Sequence, residues 1–150
     1  MTIKISVLTD KDTAVLDQVA PDVFDDPINL QATKDFLADH RHHIVVAVDD
    51  AVVVGFISAV HYLHPDKSKP ELWINEVGVA PSYQRQGIAK SMMKPMLQLG
   101  TRLGCGEAWV MTDRSNGPAK ALYRSSGAGS DVTEHIMYSF KLGNLSLIHI

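Results

Sequence analysis

The chain has 150 residues, with 14 basic and 17 acidic side chains and one cysteine. This length fits one domain with one core, and burial of roughly 70% of the unfolded surface makes a disulfide or structural metal unnecessary. The near-balanced charge argues against nucleic acid as a partner, and the uncharged apolar runs are far shorter than the roughly 20 residues that cross a bilayer. A lone thiol and the lack of an apolar leader predict a cytoplasmic protein.

The charge is distributed unevenly along the chain. Residues 1–83 contain 6 Lys or Arg and 13 Asp or Glu, a net of −7, whereas residues 84–124 contain 7 and 2, a net of +5. This division predicts two ligands of opposite charge, an anion bound by the later segment and a cation bound by the earlier one. The alternative is a chance distribution of solvated side chains.

The first half of the chain predicts four strands and two helices. Alternating apolar residues predict a strand at 3–7, and Asp10 with Asp12 can cap a helix that contains Val15, Leu16 and Val19. A proline-bounded loop at 21–27 separates this helix from a second one that ends at His40. Further strands are predicted at 44–48, 52–60 and 71–79, with a hairpin turn at 49–51 and a polar turn at 64–70.

The second half begins with a long amphipathic helix predicted over 86–103, although Pro95 lies inside it. A strand at 107–112, a short helix at 118–125 and a last strand at 134–140 follow, in a mixed α/β order without a repeat. The domain is expected to span residues 1–142. Because the run at 143–150 continues no pattern before it, we interpret it as a non-native or read-through tail.

The segment between the fourth strand and the long helix reads Val-Gly-Val-Ala-Pro-Ser-Tyr-Gln-Arg-Gln-Gly-Ile-Ala from Val77 to Ala89. A helix start leaves four N–H groups unpaired at the positive end of the macrodipole, so a turn over 84–89 can surround a phosphate. Gly87 lets a ligand approach the backbone, and Arg85 adds positive charge. Neither common nucleotide-binding loop is present, which argues against ATP and NAD.

The motif Gln84-x-x-Gly87-x-Ala89 after a strand resembles the Arg/Gln-x-x-Gly-x-Gly/Ala motif of the GNAT acyl-CoA-dependent N-acetyltransferases. The resemblance covers nearly the whole chain, since the predicted element order is that of the superfamily. It implies an α/β domain of GNAT fold, with a central mixed sheet of six to seven strands, about four helices and a gap where strands four and five splay apart. More narrowly, the 24–27 loop, the acid in strand four and the 116–123 block resemble GNAT-type aminoglycoside 3-N-acetyltransferases.

This resemblance implies acetyl-CoA as the acyl donor, and no metal is expected. Backbone groups of strand four would pair with pantetheine, the loop amides would bind the pyrophosphate, and the 116–123 block would supply a second cofactor segment. The residues assigned to the cofactor are Val77, Gly78, Val79, Gln84, Arg85, Gln86, Gly87, Ile88, Ala89, Asn116, Ala119, Lys120 and Tyr123. The alternative for the loop is an ordinary strand-to-helix turn.

Two catalytic roles follow from the same resemblance. An alkylamine with a reference pKa of ~10.4 is mostly protonated at pH 7, so transfer to an amine requires a base. Glu76 matches the position of the family's acid, which often acts through a water, and Asp113 is the second candidate. Tyr123 matches the tyrosine that protonates the departing thiolate. Alternatively, Glu76 is a strand carboxylate paired to a cation and Tyr123 a half-buried helix tyrosine.

The acidic side chains indicate the class of acceptor. Carboxylates that converge on one cleft would attract a compact polycation, and the candidates are Asp25, Asp26, Glu71, Glu76 and Asp113. An aminoglycoside fits this description, and the resemblance implies its 3-N position. Alternatives are polyamines, protein lysines or N-termini, and, outside the enzyme class, a non-catalytic acyl-CoA-binding module. A homodimer is expected by resemblance.

The remaining features are interpreted as structural. The histidines at 40, 42 and 43 are expected to form a solvated helix end rather than a metal site. Cys105 is expected to be packed rather than nucleophilic. Helix packing accounts for Met92, Met93 and Met96, and core or interface packing for Trp73 and Trp109.

Overall fold

A computed structural model of the chain describes residues 2–143. They form one five-stranded sheet whose strands lie in sequence order, namely β1 (Ile3–Val7), β2 (His42–Asp49), β3 (Val52–His64), β4 (Lys67–Val79) and β5 (Glu107–Val110). Strands β1 to β4 pair antiparallel, and β4 pairs parallel to β5. The described helices are α1 (Leu30–Ala38), α2 (Ile88–Arg102) and α3 (Gly117–Ser125). None of them is long and apolar enough to span a bilayer.

The predicted hairpin at 49–51 and the predicted turn at 64–70 both form, and both turns are shorter than predicted. Asp50 and Ala51 make the β2–β3 turn with φ angles of 47° and 67°, the left-handed conformation that two-residue hairpin turns require. The β3–β4 turn has two residues, because His64 already pairs with Lys67. The polar stretch predicted as a turn at 64–70 therefore belongs mostly to β4.

The core lies between the sheet and α2. Leu72 and Ile74 point from β4 toward this helix and are almost completely buried, as are Met92 and Met96. This confirms the helix-packing interpretation of the methionines. The helix approaches the sheet closely at Gly100, where an added Cβ would lie 3.0 Å from Leu72 Cδ2.

The first predicted helix is wrong. Residues Val15–Asp17 form a single 3₁₀ turn. The Asp12 carboxylate accepts from the Thr9 N–H at 2.7 Å, so it caps the preceding turn instead of starting a helix. Val19 then forms an isolated parallel bridge with Val53, which draws the chain to the sheet.

The predicted strand at 134–140 is also absent, and β5 ends at Val110 rather than at 112. Residues 131–143 are exposed and form no described strand. The described sheet therefore has five strands instead of six to seven, and three α-helices instead of about four. From residue 144 onward, the expected tail lies outside the described residues.

Candidate active site

A free strand edge opens in the middle of the sheet. β4 and β5 pair over four residues, from Glu71 with Glu107 to Ile74 with Val110. β4 then continues to Val79, whereas β5 has ended, so residues 75–79 have no strand on that side in the described structure. The divergence begins at Asn75, an extra residue in the β3–β4 register whose Oδ1 accepts from the Ser58 hydroxyl at 2.7 Å. This confirms the predicted splay.

A loop of backbone donors lies at the end of this edge. Arg85 and Gly87 both have positive φ, 64° and 76°, and α2 begins directly after them. Among residues 2–143, no group accepts from the N–H groups of residues 85–90. Such consecutive N–H groups at a helix start form a concavity that binds anions.

The space around this loop fits a phosphate-bearing ligand. A Cβ added at Gly87 would meet nothing within 4 Å, so a ligand can reach the backbone there. A groove of about 700 Å³ runs on from Gly87 between α2 and α3, and Lys90 and Lys94 contribute positive charge to its lining. The Tyr83 hydroxyl donates to Asp49 of the β2–β3 hairpin at 2.5 Å and so fixes the start of the loop.

A pair of carboxylates lies on the opposite face of the sheet from α2. The loop at 21–27 crosses β4 at Gly78, where an added Cβ would lie only 2.3 Å from the Val23 carbonyl oxygen. Phe24 from the same loop stacks on Phe56 of β3 at 4.0 Å. This crossing brings Asp25 near Glu76: burial raises the pKa of Glu76, and the negative charge of Asp25 raises it further.

Aromatic side chains extend this face along β4 and β5. The Trp73 and Trp109 rings stack at 5.3 Å, nearly parallel. The Trp109 indole N–H donates to the Tyr62 hydroxyl at 2.7 Å, and the Tyr62 ring packs edge-on against His64. Both tryptophans are half-buried, so part of each ring surface is exposed beside the gap and packing within the core does not account for all of it.

Comparison with known proteins decides the family. Residues 12–128 match the model of the acetyltransferase (GNAT) family. The chain belongs to the GNAT acetyltransferases. It is therefore an acyltransferase, and members of this family use acetyl-CoA.

Two individual relatives indicate which acetyltransferases this chain is similar to. The chain is 27% identical over 104 residues to an aminoglycoside N(6')-acetyltransferase type 1 of Salmonella typhimurium, which covers 67% of this chain and 70% of the relative. It is 30% identical over 95 residues to human N-acetyltransferase 8, 63% of this chain and 42% of that protein.

Solved structures support the fold. An aminoglycoside acetyltransferase from a soil metagenomic sample, in complex with sisomicin, aligns with a TM-score of 0.74 at 23% identity, over 93% of this chain and 97% of that one. The structure of AAC(6')-Iy with a CoA-containing bisubstrate analogue aligns with a TM-score of 0.71 at 21% identity, over 95% and 100%.

The five predicted substrate carboxylates of this GNAT domain do not all converge. Asp25 and Glu76 lie near each other, and Asp26 follows in the same exposed loop. Glu71 is paired with His64, about five residues back along β4. Asp113 lies beyond the end of β5, and its carbonyl accepts from the Asn116 N–H at 2.9 Å. Among the five, the structure thus brings Asp25 and Glu76 together.

Several groups predicted to bind the cofactor form hydrogen bonds within the protein instead. The Gln84 N–H donates to the Pro81 carbonyl, and the Gln84 side chain donates to the Val79 carbonyl. The Asn116 side chain caps α3 by accepting from the Ala119 N–H at 3.0 Å. The Lys120 ammonium donates to the Arg114 carbonyl at 3.2 Å. Within residues 2–143, the loop N–H groups that have no acceptor are thus those of residues 85–90.

Tyr123 remains available as a proton donor. It is half-buried on α3 against the core, and this burial raises the pKa of its hydroxyl. Within residues 2–143 its hydroxyl has no hydrogen-bond partner. A protonated hydroxyl at neutral pH can donate to a developing thiolate.

The other predicted features have structural roles. His42 and His43 lie in β2 instead of a helix end, and His43 Nε2 is 2.8 Å from His61 Nδ1. Burial and the neighbouring His61 lower the pKa of His43 to about 4. Among residues 2–143 no three side chains cluster as metal ligands. Cys105 is half-buried, and burial raises the pKa of its thiol, as expected of a packed cysteine.

Proposed function

We propose that this GNAT enzyme transfers the acetyl group of acetyl-CoA to a primary amine of an aminoglycoside. The observation that carries the proposal is the crossing of the 21–27 loop over β4 at Gly78, which brings Asp25 near Glu76 beside the free edge of β4. Two carboxylates at this position attract a cation and supply a base. The aminoglycoside names of the Salmonella relative and of the metagenomic structure support this choice of acceptor.

The acyl donor would bind along two sets of unpaired backbone groups. The N–H groups of residues 85–90 fit a pyrophosphate, and Lys90 and Lys94 favour further negative charge in the groove between α2 and α3. The free edge of β4, from Glu76 to Gly78, can pair with the amides of the pantetheine arm as an added strand would. Acetyl-CoA then supplies an activated acetyl thioester in the gap beside β5.

The proton transfers fit the two titratable side chains. Glu76, whose pKa is raised, can accept a proton from the ammonium directly or through a water. The neutral nitrogen forms a bond with the acetyl carbon while the carbon–sulfur bond breaks. The nitrogen then loses its second proton to solvent. The Tyr123 hydroxyl can protonate the sulfur and is itself reprotonated from solvent, so the products are an amide and a free thiol. A protein that merely binds acyl-CoA requires neither group.

The aromatic surface supports a compact, sugar-like polycation. Trp73 lies three residues before Glu76 on the same face of β4 and stacks on Trp109, and cations bind favourably over such ring faces. A polyamine could bind to the two carboxylates, but it would gain less binding energy from contact with the aromatic rings. The resemblance implied the 3-N amine of the aminoglycoside. Two of the proteins named above, the Salmonella relative and AAC(6')-Iy, are 6'-type acetyltransferases, so their names favour the 6' amine.

Thiol release across an amine panel tests the acceptor. We expect faster turnover with gentamicin-like and kanamycin-like aminoglycosides than with spermidine or a lysine peptide, and NMR of the product assigns the acetylated nitrogen. Glu76→Gln should lower kcat by about 100-fold or more, in the range of a lost general base. Asp25→Asn should raise KM for the aminoglycoside more than its neighbour Asp26→Asn does. Spermidine turnover above that of the aminoglycosides would refute the acceptor class.

Calorimetry tests the donor site. Gly87→Glu should abolish acetyl-CoA binding, because a carboxylate would occupy the space of the phosphate. Gly104→Glu is the matched control, since Gly104 also has a positive φ and open space around its Cβ but lies at the other end of α2. Equal affinities in the two variants would refute the placement of the pyrophosphate.

A further inference from the structure

The face of the sheet on which Glu76 lies is set by one extra residue in β4. Leu72 and Ile74 point toward α2, so under strict alternation the next even-numbered residue, Glu76, would also turn into the core under α2. β4 does not alternate strictly, because Asn75 is an extra residue between the pairs that Ile74 and Glu76 form with β3. A bulge of this kind moves the side chains that follow it to the other face.

The contacts beyond the bulge follow this shifted pattern. A Cβ added at Gly78 would meet the loop at 21–27, which lies on the face away from α2. A Cβ added at Gly55, which pairs with the next residue of β4, would instead lie 3.1 Å from Met92 Cε in α2. Glu76, two residues before Gly78, therefore lies on the face away from α2, beside the loop that carries its acidic neighbour.

A buried hydroxyl is bonded to the extra residue. Ser58 is 7% exposed and, among residues 2–143, is the one buried polar side chain of the sheet. It interrupts the apolar run of β3, pairs with Glu76 across the strands, and donates from its hydroxyl to Asn75 Oδ1 at 2.7 Å. A buried hydroxyl is costly without a partner, so this hydrogen bond favours the register in which Asn75 is the extra residue.

We propose that Ser58 is a positioning residue for Glu76, because its hydrogen bond to Asn75 stabilises the bulge that keeps the Glu76 carboxylate on the face away from α2, near Asp25. The consequence for catalysis rests on the base role proposed above for Glu76. Asn75 is exposed, so without the Ser58 hydroxyl its side chain can turn to solvent, and the Glu76 carboxylate is then no longer fixed. A misplacement of about 1 Å can cost up to about 100-fold in rate.

Steady-state kinetics of a double-mutant cycle tests the proposal. Ser58→Ala and Asn75→Ala should each lower kcat about 10-fold and leave KM for acetyl-CoA within about twofold, because the N–H groups at 85–90 lie outside the bulge. If the two residues act through one hydrogen bond, the double variant should also lose about 10-fold, whereas independent effects would multiply to about 100-fold. Ser58→Thr retains the hydroxyl and should recover most of kcat.

Thr33→Ala is the matched control. Thr33 is the other buried polar side chain among residues 2–143, and its hydroxyl donates to the Asn29 carbonyl at 2.9 Å within the first turn of α1. Its loss should lower the free energy of unfolding, as that of the Ser58 hydroxyl does, but it should leave kcat unchanged. A fall in kcat that follows stability in both variants would mean that Ser58 has a structural role only and would overturn the proposal.

Carbon-13 NMR of the Glu76 carboxyl group gives a readout that does not depend on turnover. In Ser58→Ala the pKa of Glu76 should fall toward the ordinary glutamate value, because the carboxylate moves away from Asp25, and in Thr33→Ala it should stay raised. An unchanged Glu76 titration in Ser58→Ala, or multiplicative losses of kcat in the double variant, would overturn the proposal. An undiminished kcat in Glu76→Gln would refute the base role instead, and the titration would still decide whether Ser58 positions Glu76.

Discussion

A methyl group added at Gly78 tests whether the 21–27 loop is held against β4 by direct backbone contact. An ideal Cβ there would lie 2.3 Å from the Val23 carbonyl oxygen and 2.8 Å from Phe56 Cε1. Val23 is 5% exposed, so the loop cannot yield without disturbing the core. Overpacking of this kind costs about 1–3 kcal/mol. For a chain of this length, that corresponds to a fall in Tm of roughly 2–12 °C.

Thermal unfolding followed by circular dichroism measures this loss for Gly78→Ala. Gly117→Ala is the control, because nothing lies within 4 Å of its Cβ position and it starts a helix, where alanine is favoured. Displacement of the loop should also move Asp25 and raise KM for the aminoglycoside more than KM for acetyl-CoA. A Gly78→Ala Tm within about 1 °C of the wild type, with both KM values unchanged, would refute the close crossing.

Three further outcomes follow from the pKa shifts and the loop anchor. Because the charge of Asp25 raises the pKa of Glu76, Asp25→Asn should move the acid limb of the kcat/KM profile to lower pH; an unmoved limb would assign the base elsewhere. The pKa of His43 is lowered to about 4, so between pH 6.5 and 4 the folded state binds fewer protons than the unfolded state. The free energy of unfolding should therefore fall as the pH drops through this range. His43→Gln should make this fall smaller, as measured by urea unfolding at pH 7 and pH 5. Tyr83→Phe removes the hydrogen bond to Asp49 and should raise KM for acetyl-CoA about fivefold, on the order of 1 kcal/mol, with kcat unchanged.

The elements that depend mainly on residues close together in sequence could be predicted. The proline-bounded loop at 21–27 predicted that a helix follows it, and the three residues 49–51 between two β-branched runs predicted the β2–β3 hairpin. The loop that we propose binds the pyrophosphate could be located because Gly87 stands between a strand and an amphipathic helix. These features involve neighbours in sequence, so periodicity and capping rules apply to them directly.

Contacts between distant segments were not predictable in the same way. The register extension that makes β4 begin at Lys67 depends on pairing with His64, and the parallel bridge from Val19 to Val53 replaces an expected helix. The hydrogen bond from Trp109 to Tyr62 joins residues 47 positions apart. Nothing in the sequence around either residue indicates it, because the alternation of strands fixes the face of a side chain but not its partner.

The crossing at Gly78 explains how an uneven charge distribution along the sequence becomes two separate surfaces of opposite charge. The acidic first half reaches β4 through the 21–27 loop, which lies on the face away from α2 and places Asp25 near Glu76. The basic second half begins where β4 ends, with the free N–H groups of 85–90 and the lysines of α2. The two surfaces therefore meet along residues 75–79, the stretch of β4 that β5 leaves unpaired. A cationic acceptor and an anionic donor can thus approach this edge from opposite directions without competing for the same charges.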